Sequence, residues 1–441
     1  MNIVIAGDGE VGFYLARSLA ELDYDITVVD PHAELLKKLE QETDLLTIVG
    51  NATSPEVLEE ANASEADMML AVLKDENVNL VACVVAKHLG AKRTVARVSN
   101  TELLEGRNRE MWRELGVDEM VCPERIASKE ITNLLKNTVT QEFFDFAGGL
   151  LTMNLIRLGK ESPAVGKKRM ELMDWNMRFV AVVRMGETII PHAEFVFEEG
   201  DLAYIICKRG SLDELGEISG KDEVRVKRVM IAGGGRVGRF ASLALENEMS
   251  VTLVDESAER CRSLSESLRK TLIINGDATD ISLLRDEGLG GMDAYIAVTD
   301  NTETNVLTCL NAKRLGVKRT IALVENTGFI NLSQEIGIDT IINKKLITAS
   351  YIARFTVSGD AVSSKWLSGT NAEVIEFVVG KRAIATRKAI GEMGMPNGAV
   401  IGGVIRGRET ILPTRDTQLQ EGDKVVVFAL PRTMKIVGKL F

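Results

Sequence analysis

The sequence predicts an α/β chain in which two doubly wound parallel-sheet domains are each followed by a small α+β domain. Three observations carry this reading: short apolar runs alternate with amphipathic helical stretches, a glycine-rich turn follows the first run and opens the first helix, and the whole pattern returns once at a fixed spacing. At 441 residues the chain has room for about two to four domains. Its 45% hydrophobic and 27% charged content is that of an ordinary globular protein.

Asn2 to Ala6 reads as the first strand. A helix follows with Val11, Leu15 and Leu19 on one face, and Ile26 to Val29 is the next strand. Leu45 to Val49, Met68 to Leu73 and Thr94 to Val98 continue the strands, separated by helical stretches such as Asn77 to Leu89. These runs are continuously apolar rather than alternating, as expected of parallel strands covered on both faces and joined by right-handed crossovers.

Ile5-Ala6-Gly7-Asp8-Gly9-Glu10-Val11-Gly12 returns 226 residues later as Ile231-Ala232-Gly233-Gly234-Gly235-Arg236-Val237-Gly238. Gly50-Asn51-Ala52-Thr53 matches Gly276-Asp277-Ala278-Thr279, Arg93-Thr94 matches Arg319-Thr320, and Val29-Asp30 matches Val254-Asp255. A second pattern also occurs twice: Arg184 to Pro191 resembles Arg406 to Pro413, and Glu199-Gly200-Asp201 resembles Glu421-Gly422-Asp423. In these smaller modules Leu151 to Leu158 and Ala372 to Val379 read as strands, a hairpin is expected near Met185-Gly186 and Gly407-Arg408, and Leu202 to Cys207 and Lys424 to Ala429 are further strands. The expected domains are 1–137, 138–222, 225–357 and 358–441, with the polar stretch Glu217 to Arg228 as the linker between halves.

Gly7-x-Gly9-x-x-Gly12 lies after a strand and before a helix, the context of a Rossmann-like dinucleotide-binding turn. Its glycines allow the tight turn, the approach of a pyrophosphate and close helix packing, and the phosphates then meet the helix N-terminus. Asp30 and Asp255 end the second strand of each copy, where a carboxylate meets ribose hydroxyls and repels a 2′-phosphate, which favours NAD(H) or adenosine nucleotides. Candidate cofactor-binding residues are therefore Gly7, Asp8, Gly9, Glu10, Val11, Gly12, Asp30, Asn51, Ala52, Leu73, Lys74 and Arg97 in the first copy. In the second they are Gly233, Gly234, Gly235, Arg236, Val237, Gly238, Asp255, Asp277, Ala278, Thr299 and Asp300. Arg97 ends the fifth strand, where open sheets bind ligands, and Leu323 takes its place in the second copy; Asp277 and Thr299-Asp300 replace Asn51 and Leu73-Lys74. The two sites are expected to differ in affinity or ligand.

A dehydrogenase needs an acid or base beside the nicotinamide. The three histidines, His32, His88 and His192, read as surface or packing residues, with His192 in the hairpin of the first small module. Tyr204 and Lys208 fall on a strand, where i and i+4 side chains stand roughly 13 Å apart. No Walker-type lysine follows either glycine turn. Binding that changes shape is the favoured reading, with a duplicated NAD-dependent oxidoreductase as the alternative.

A net charge of −11 gives phosphate backbones no general attraction, so nucleic acid is not an expected partner. The longest stretch without a charged residue, Met393 to Ile405, is 13 residues, too short to cross roughly 30 Å of hydrocarbon. The chain opens directly on a strand, with no basic and hydrophobic leader, which predicts a cytoplasmic protein. Its five scattered cysteines predict neither a disulfide framework nor a metal site.

The order of these motifs over essentially all 441 residues resembles the TrkA family, peripheral regulatory subunits of Trk-type potassium uptake systems built from two tandem RCK modules. The likeness rests on both glycine turns with Asp30 and Asp255, on Ala96-Arg97-Val98, on Thr299-Asp300-Asn301-Thr302-Glu303-Thr304-Asn305 and on both Glu-Gly-Asp signatures. It implies a homo-oligomeric ring, a dimer or tetramer of chains, under a potassium-translocating membrane subunit and gated by NAD(H) or by ATP and ADP. It also implies that the last helix of each nucleotide domain, near Pro123 to Lys136 and Lys345 to Phe355, crosses to a neighbouring lobe. Leu73-Lys74 departs from the small polar pair of the family. Lys160, Lys167, Lys168 and Arg169 read as a solvated face rather than a docking patch.

Overall fold

Parallel pairing of short buried strands organises each half of the chain in the computed structural model, which describes residues 1–7, 9–20, 24–43, 45–136, 140, 142–146, 149–172, 175–208, 210–220, 225–326, 328–353, 355, 361–366, 372–381, 383–430 and 433–441. The first half begins β1 (Asn2–Ala6), α1 (Glu10–Ala20), β2 (Asp25–Asp30), α2 (Ala33–Glu42), β3 (Leu46–Val49) and α3 (Pro55–Glu60). It continues β4 (Met68–Ala71), α4 (Glu76–Leu89), β5 (Thr94–Arg97), α5 (Gly106–Glu114), β6 (Glu119–Val121) and α6 (Pro123–Lys136). The strand order β3-β2-β1-β4-β5-β6 is doubly wound, with the direction of winding reversing between β1 and β4. Ile3, Val4, Ile5 and Ala6 are buried, as are Val11, Leu15 and Leu19 on α1, so the predicted helix face is the packed one.

Next come β7 (Glu142–Phe146), β8 (Leu151–Arg157), β9 (Met177–Arg184), β10 (Glu187–Ile189), β11 (Leu202–Lys208) and α7 (Leu212–Ser219). The second half repeats the plan with β12 (Arg228–Ala232), α8 (Arg236–Leu245), β13 (Ser250–Asp255), α9 (Ala258–Ser267), β14 (Leu272–Asn275) and α10 (Ile281–Asp286). It proceeds through β15 (Ala294–Ala297), α11 (Thr302–Arg314), β16 (Arg319–Leu323), α12 (Gly328–Glu335), β17 (Thr340–Ile342) and α13 (Lys344–Ala353). The chain ends with β18 (Ala361–Trp366), β19 (Glu373–Val378), β20 (Ala399–Arg406), β21 (Glu409–Ile411), β22 (Lys424–Ala429) and α14 (Met434–Gly438). The second parallel sheet has the order β14-β13-β12-β15-β16-β17, and the two antiparallel sheets, β10-β9-β11-β8-β7 and β21-β20-β22-β19-β18, share one topology. Both the parallel and the antiparallel modules are therefore duplicated.

The repeated Arg and Glu-Gly-Asp signatures of the small modules meet across neighbouring strands. Arg184 donates two hydrogen bonds to Asp201 at 2.7 Å, and Arg406 does the same to Asp423 at 2.9 and 2.8 Å. Each aspartate also accepts a backbone N–H, from Glu198 or Gln420, so a buried carboxylate is held by a bidentate arginine and a turn. The expected hairpin turn has positive φ at both Met185 and Gly186, the conformation of a two-residue type I′ connection. His192 lies beyond that hairpin, after Ile189, with its ring edge-on to Phe195.

The chain packs as two units, residues 1–126 with 344–357 and residues 127–343 with 358–441. In the first, α13 packs on α1, and Arg93 lies 4.8 Å from the centroid of Phe355, in the position of a cation–π contact. In the second, the end of α6 is tied by Lys136 to Glu248 at 2.8 Å. Arg319, the counterpart of Arg93, donates to the Thr140 carbonyl, and burial pushes its pKa down to about 10. The threonines of the repeated Arg-Thr pairs serve the sheet edge: Thr94 and Thr320 donate their N–H groups to Asp118 and Asp339 at 2.8 and 3.0 Å.

Within the second unit the two antiparallel sheets share one core. Leu151, Met153, Leu155, Val180, Tyr204 and Ile206 meet Val374, Ile405, Val426 and Phe428. The alternate residues Ala203, Ile205 and Cys207 pack on the other face with Phe179, Phe197, Leu215 and Ile218. Coverage on both faces is why β11 reads as an unbroken apolar run from Leu202 to Cys207.

Four short strands escape sequence patterning. β6 and β17 are three residues long, and β7 and β18 precede the first strands expected in their modules. The expected linker starts too early, since Glu217 lies in the last turn of α7. Residues 221–224 of that linker and the expected boundaries at 137/138, 222 and 357/358 fall outside the described residues.

At Gly402 a Cβ would stand 2.0 Å from Ile206 Cδ1. Gly402→Val is expected to lower stability by about 1–3 kcal/mol through overpacking, read as a lower urea midpoint with an unchanged slope.

Candidate functional site

Each parallel sheet carries a crevice at the C-terminal ends of β1 and β4, or β12 and β15, the place where winding reverses. The glycine turns fit there because of two contacts that exclude a side chain. Gly7 and Gly233 have φ of +110° and +104°, and a Cβ on either would meet the backbone nitrogen of Leu73 at 2.9 Å or of Thr299 at 2.8 Å. A Cβ on Gly12 or Gly238 would stand 1.7 or 1.9 Å from the carbonyl oxygen of Gly7 or Gly233. The turn is thus wedged between the strand end and the helix, while Gly9 and Gly235 face open space, as an incoming phosphate requires.

Val11, Val237, Ala52 and Ala278 are packed inside, so only their backbones are available to a ligand. Asp8 and the side chain of Glu10 lie outside the described residues. Arg236, Asn51, Asp277, Lys74 and Asp300 are exposed, and Leu73, Arg97 and Thr299 are half-buried at the crevice rim.

The two aspartates that end the second strands, Asp30 and Asp255, have different neighbours. Asp30 accepts the His32 N–H at 2.8 Å on Oδ1, and the His32 Nδ1 lies 2.9 Å from the same oxygen. Asp255 accepts Gly234 N–H at 2.7 Å and Arg260 Nη1 at 2.8 Å on Oδ2, and Ser257 N–H at 2.9 Å on Oδ1. The hydrogen bond to Asp255 holds the Arg260 guanidinium above its ordinary pKa. The loop after the third strand is tied to these aspartates by their carbonyls, with Gly50 N–H donating to Asp30 at 3.1 Å and Gly276 N–H to Asp255 at 3.0 Å. Asn51 and Asp277 then cap their own loops through the N–H groups of Thr53 and Thr279, and these bonds hold Asp277 below the usual carboxylate range.

Sequence reasoning missed the residue that holds the far side of each crevice together. Asn79 is fully buried in α4; its Oδ1 accepts Leu73 N–H at 2.8 Å and its Nδ2 donates to the carbonyls of Leu73 and Arg97, both at 2.9 Å. Asn305 in α11 does the same for Thr299 and Leu323, all at 2.9 Å, and also accepts the Thr299 hydroxyl at 2.7 Å. The available signal was a polar amide inside an apolar helix face at the same 226-residue spacing as the glycine turns.

Among the described residues no group of three or more His, Cys, Asp or Glu has metal-binding geometry, and all five cysteines are buried. Burial pushes the thiols of Cys83, Cys122, Cys207, Cys261 and Cys309 up, away from nucleophilic use. Tyr204 is buried on β11 with Lys208 at that strand's end, not on a helix face.

Asn305→Leu keeps the branched shape of the side chain, adds bulk, and strands one N–H and two carbonyls, so the second unit is expected to lose about 2–4 kcal/mol. Urea unfolding followed by tryptophan-independent far-UV dichroism measures this, and a loss below about 1 kcal/mol would show that the amide clamp is dispensable.

The TrkA-N domain model matches residues 3–123 and again 229–344, and the TrkA-C domain model matches residues 374–441. Curated relatives named Trk system potassium uptake protein TrkA homologs include one from Methanosarcina mazei, 32% identical over the full length of both chains. Another, from Archaeoglobus fulgidus, is 34% identical, again over all of both chains, and the TrkA of Haemophilus influenzae is 33% identical over 97% of this chain and 95% of its own. Among solved structures the GsuK channel matches 98% of this chain and 77% of its own with a TM-score of 0.63 at 19% identity, and the GsuK channel bound to NAD matches all of this chain and 78% of its own with a TM-score of 0.62, also at 19% identity. The fold is that of tandem RCK modules, and the chain belongs to the TrkA family of Trk potassium uptake proteins.

Proposed function

We propose that this chain is a regulatory subunit that binds NAD(H) or ATP and ADP in its two crevices and gates a Trk-type membrane potassium-translocating partner by changing shape. The observation that carries the reading is the pair of glycine turns, each set against a strand end by contacts only glycine permits and each followed by a buried aspartate on the next strand. Family membership supports the transport role, since the full-length relatives are named potassium uptake proteins. Among the described residues no helix is long and apolar enough to cross a membrane, so translocation falls to a separate subunit. We place the chain on the cytoplasmic face of that subunit, in a homo-oligomeric ring, and we read residues 1–137 and 225–357 as its nucleotide modules and 138–222 and 358–441 as its small modules.

The mechanism asks little of chemistry. Phosphates sit at the N-terminus of α1 or α8, where unpaired N–H groups and the helix dipole favour negative charge. The ribose meets Asp30 or Asp255. A nucleotide that prefers one arrangement of the lobes shifts the equilibrium by its differential affinity, about 1–3 kcal/mol per coupled site, and a symmetric ring multiplies this.

A thermal-shift panel of NAD, NADH, ADP and ATP on wild type, Asp30→Ala and Asp255→Ala is the test. Ligand at 100 times its Kd is expected to raise the transition by roughly 5–10 °C, with each variant losing the shift at its own crevice alone. Steady oxidation of NADH with an added metabolite would instead establish the oxidoreductase alternative.

A further inference from the structure

One buried cation joins the second nucleotide sheet to the chain that enters the first small module. Arg319 opens β16 and is 6% exposed. Its guanidinium donates to the Thr140 carbonyl, and among the described residues this is its one side-chain hydrogen bond, with Nε left without a partner. No described carboxylate pairs with it. Asp339, whose charge acts on it, is taken up by Lys313 at 2.7 Å and by the N–H and hydroxyl of Thr320 at 3.0 and 2.8 Å. A guanidinium taken out of water and held by a single neutral acceptor loses in hydration much of what the bond returns. The bonded arrangement and one in which water reaches the cation therefore lie close in energy, which is what a switch requires.

Both ends of β16 are tied. At the crevice end, Asn305 Nδ2 donates to the carbonyls of Leu323 and Thr299 and its Oδ1 accepts Thr299 N–H, all at 2.9 Å, and the Thr299 backbone is the surface against which Gly233 is wedged. At the other end of the strand, roughly 13 Å away, stands Arg319. Thr140 lies just ahead of β7, where Phe144 pairs with Met153 of β8, and Phe144 and Phe146 belong to the core that the two small modules share. A continuous line of bonded and packed groups thus runs from the glycine turn to the small modules, all of it inside the second unit. The first half is built differently. Arg93, at the same place in the repeat, lies over the Phe355 ring, a contact without the direction of a hydrogen bond.

Resting on the nucleotide-regulator reading, we infer that Arg319 is a positioning residue whose bond to Thr140 passes the occupancy of the second crevice through β16 to the small modules. A nucleotide that stiffens the glycine turn and the Thr299 rim favours the bonded arrangement and steadies β7 on β8.

Hydrogen exchange of the full chain, read by mass spectrometry over β7 and β8 with NAD⁺ and separately with ADP, tests this in an Asp30→Ala background that leaves the second crevice to bind. The nucleotide that titrates into that crevice is expected to slow exchange there at least about threefold. Arg319→Met removes both the cation and its bond without leaving a buried charge. It is expected to keep the nucleotide affinity within about threefold and to lose most of the slowing. Arg319→Gln serves the same purpose where the methionine variant does not fold. Arg319→Lys, which keeps a charged donor, is expected to restore at least half of the response, and Arg93→Met to leave it unchanged. Ligand stabilisation of the whole unit slows exchange in every variant alike. An undiminished response in Arg319→Met is therefore the mark of a merely structural arginine and overturns the assignment. Three other results also overturn it: a bound nucleotide that leaves β7 and β8 unslowed in the Asp30→Ala chain, no restoration by Arg319→Lys, or an equal loss in Arg93→Met. Each of these leaves the regulator reading standing, whereas a wild-type chain that takes up neither NAD⁺ nor ADP overturns both.

Discussion

Both halves of the molecule depend on one close approach: the backbone of a glycine turn lying against the end of the fourth parallel strand. Gly7 meets Leu73 and Gly233 meets Thr299 at distances that leave no space for a Cβ, and Gly12 and Gly238 close the turn from the helix side. This wedge sets the N-terminus of α1 or α8 over the point where the sheet reverses its winding. An anion-binding helix end and a topological crevice then coincide. A larger residue in the turn would push the helix away from the strand ends and separate the two features that make a nucleotide site.

The amides of Asn79 and Asn305 complete the opposite wall. Each uses its acceptor and both donor hydrogens on main-chain groups of the fourth and fifth strands, so it is a saturated polar group in an apolar interior and adds rigidity without unpaired atoms. With the rim fixed in this way, side chains placed on it can differ between copies without disturbing the fold. That freedom is what allows Lys74 and Arg97 of one crevice to be replaced by Asp300 and Leu323 at the equivalent positions of the other.

The duplicated modules are not packed in the order in which they are written. Residues 344–357 belong with the first unit, where α13 packs on α1, and residues 127–136 belong with the second, so each unit includes a helix from the other half of the sequence. The equivalent arginines Arg93 and Arg319 contact the chain just beyond the exchanged helices, one through an aromatic ring and one through a carbonyl. The small modules, in turn, bury their inner faces against each other, and Gly402 and Gly403 let β20 come close enough to Ile206 and Leu151 to close that core.

Local spacing in the sequence determined the duplication, the parallel sheets, the glycine turns and their terminal aspartates, because each of these shows as a pattern within a short stretch of chain or as the return of one: continuous apolar runs between helical stretches, glycines at fixed spacing, and an aspartate at a strand end. The Arg and Glu-Gly-Asp signatures were visible as repeats, but their pairing across β9 and β11, and across β20 and β22, was not. Only the tertiary structure decided the three-residue strands β6 and β17, which are too short to show a period. It alone decided the buried asparagine clamps, whose partners lie up to 18 residues away, and the neighbours of Asp30 and Asp255. The helix exchange and the joint core of the small modules belong to the same class. They are set by which apolar faces find each other after folding, and a chain reports the existence of such faces without naming their partners.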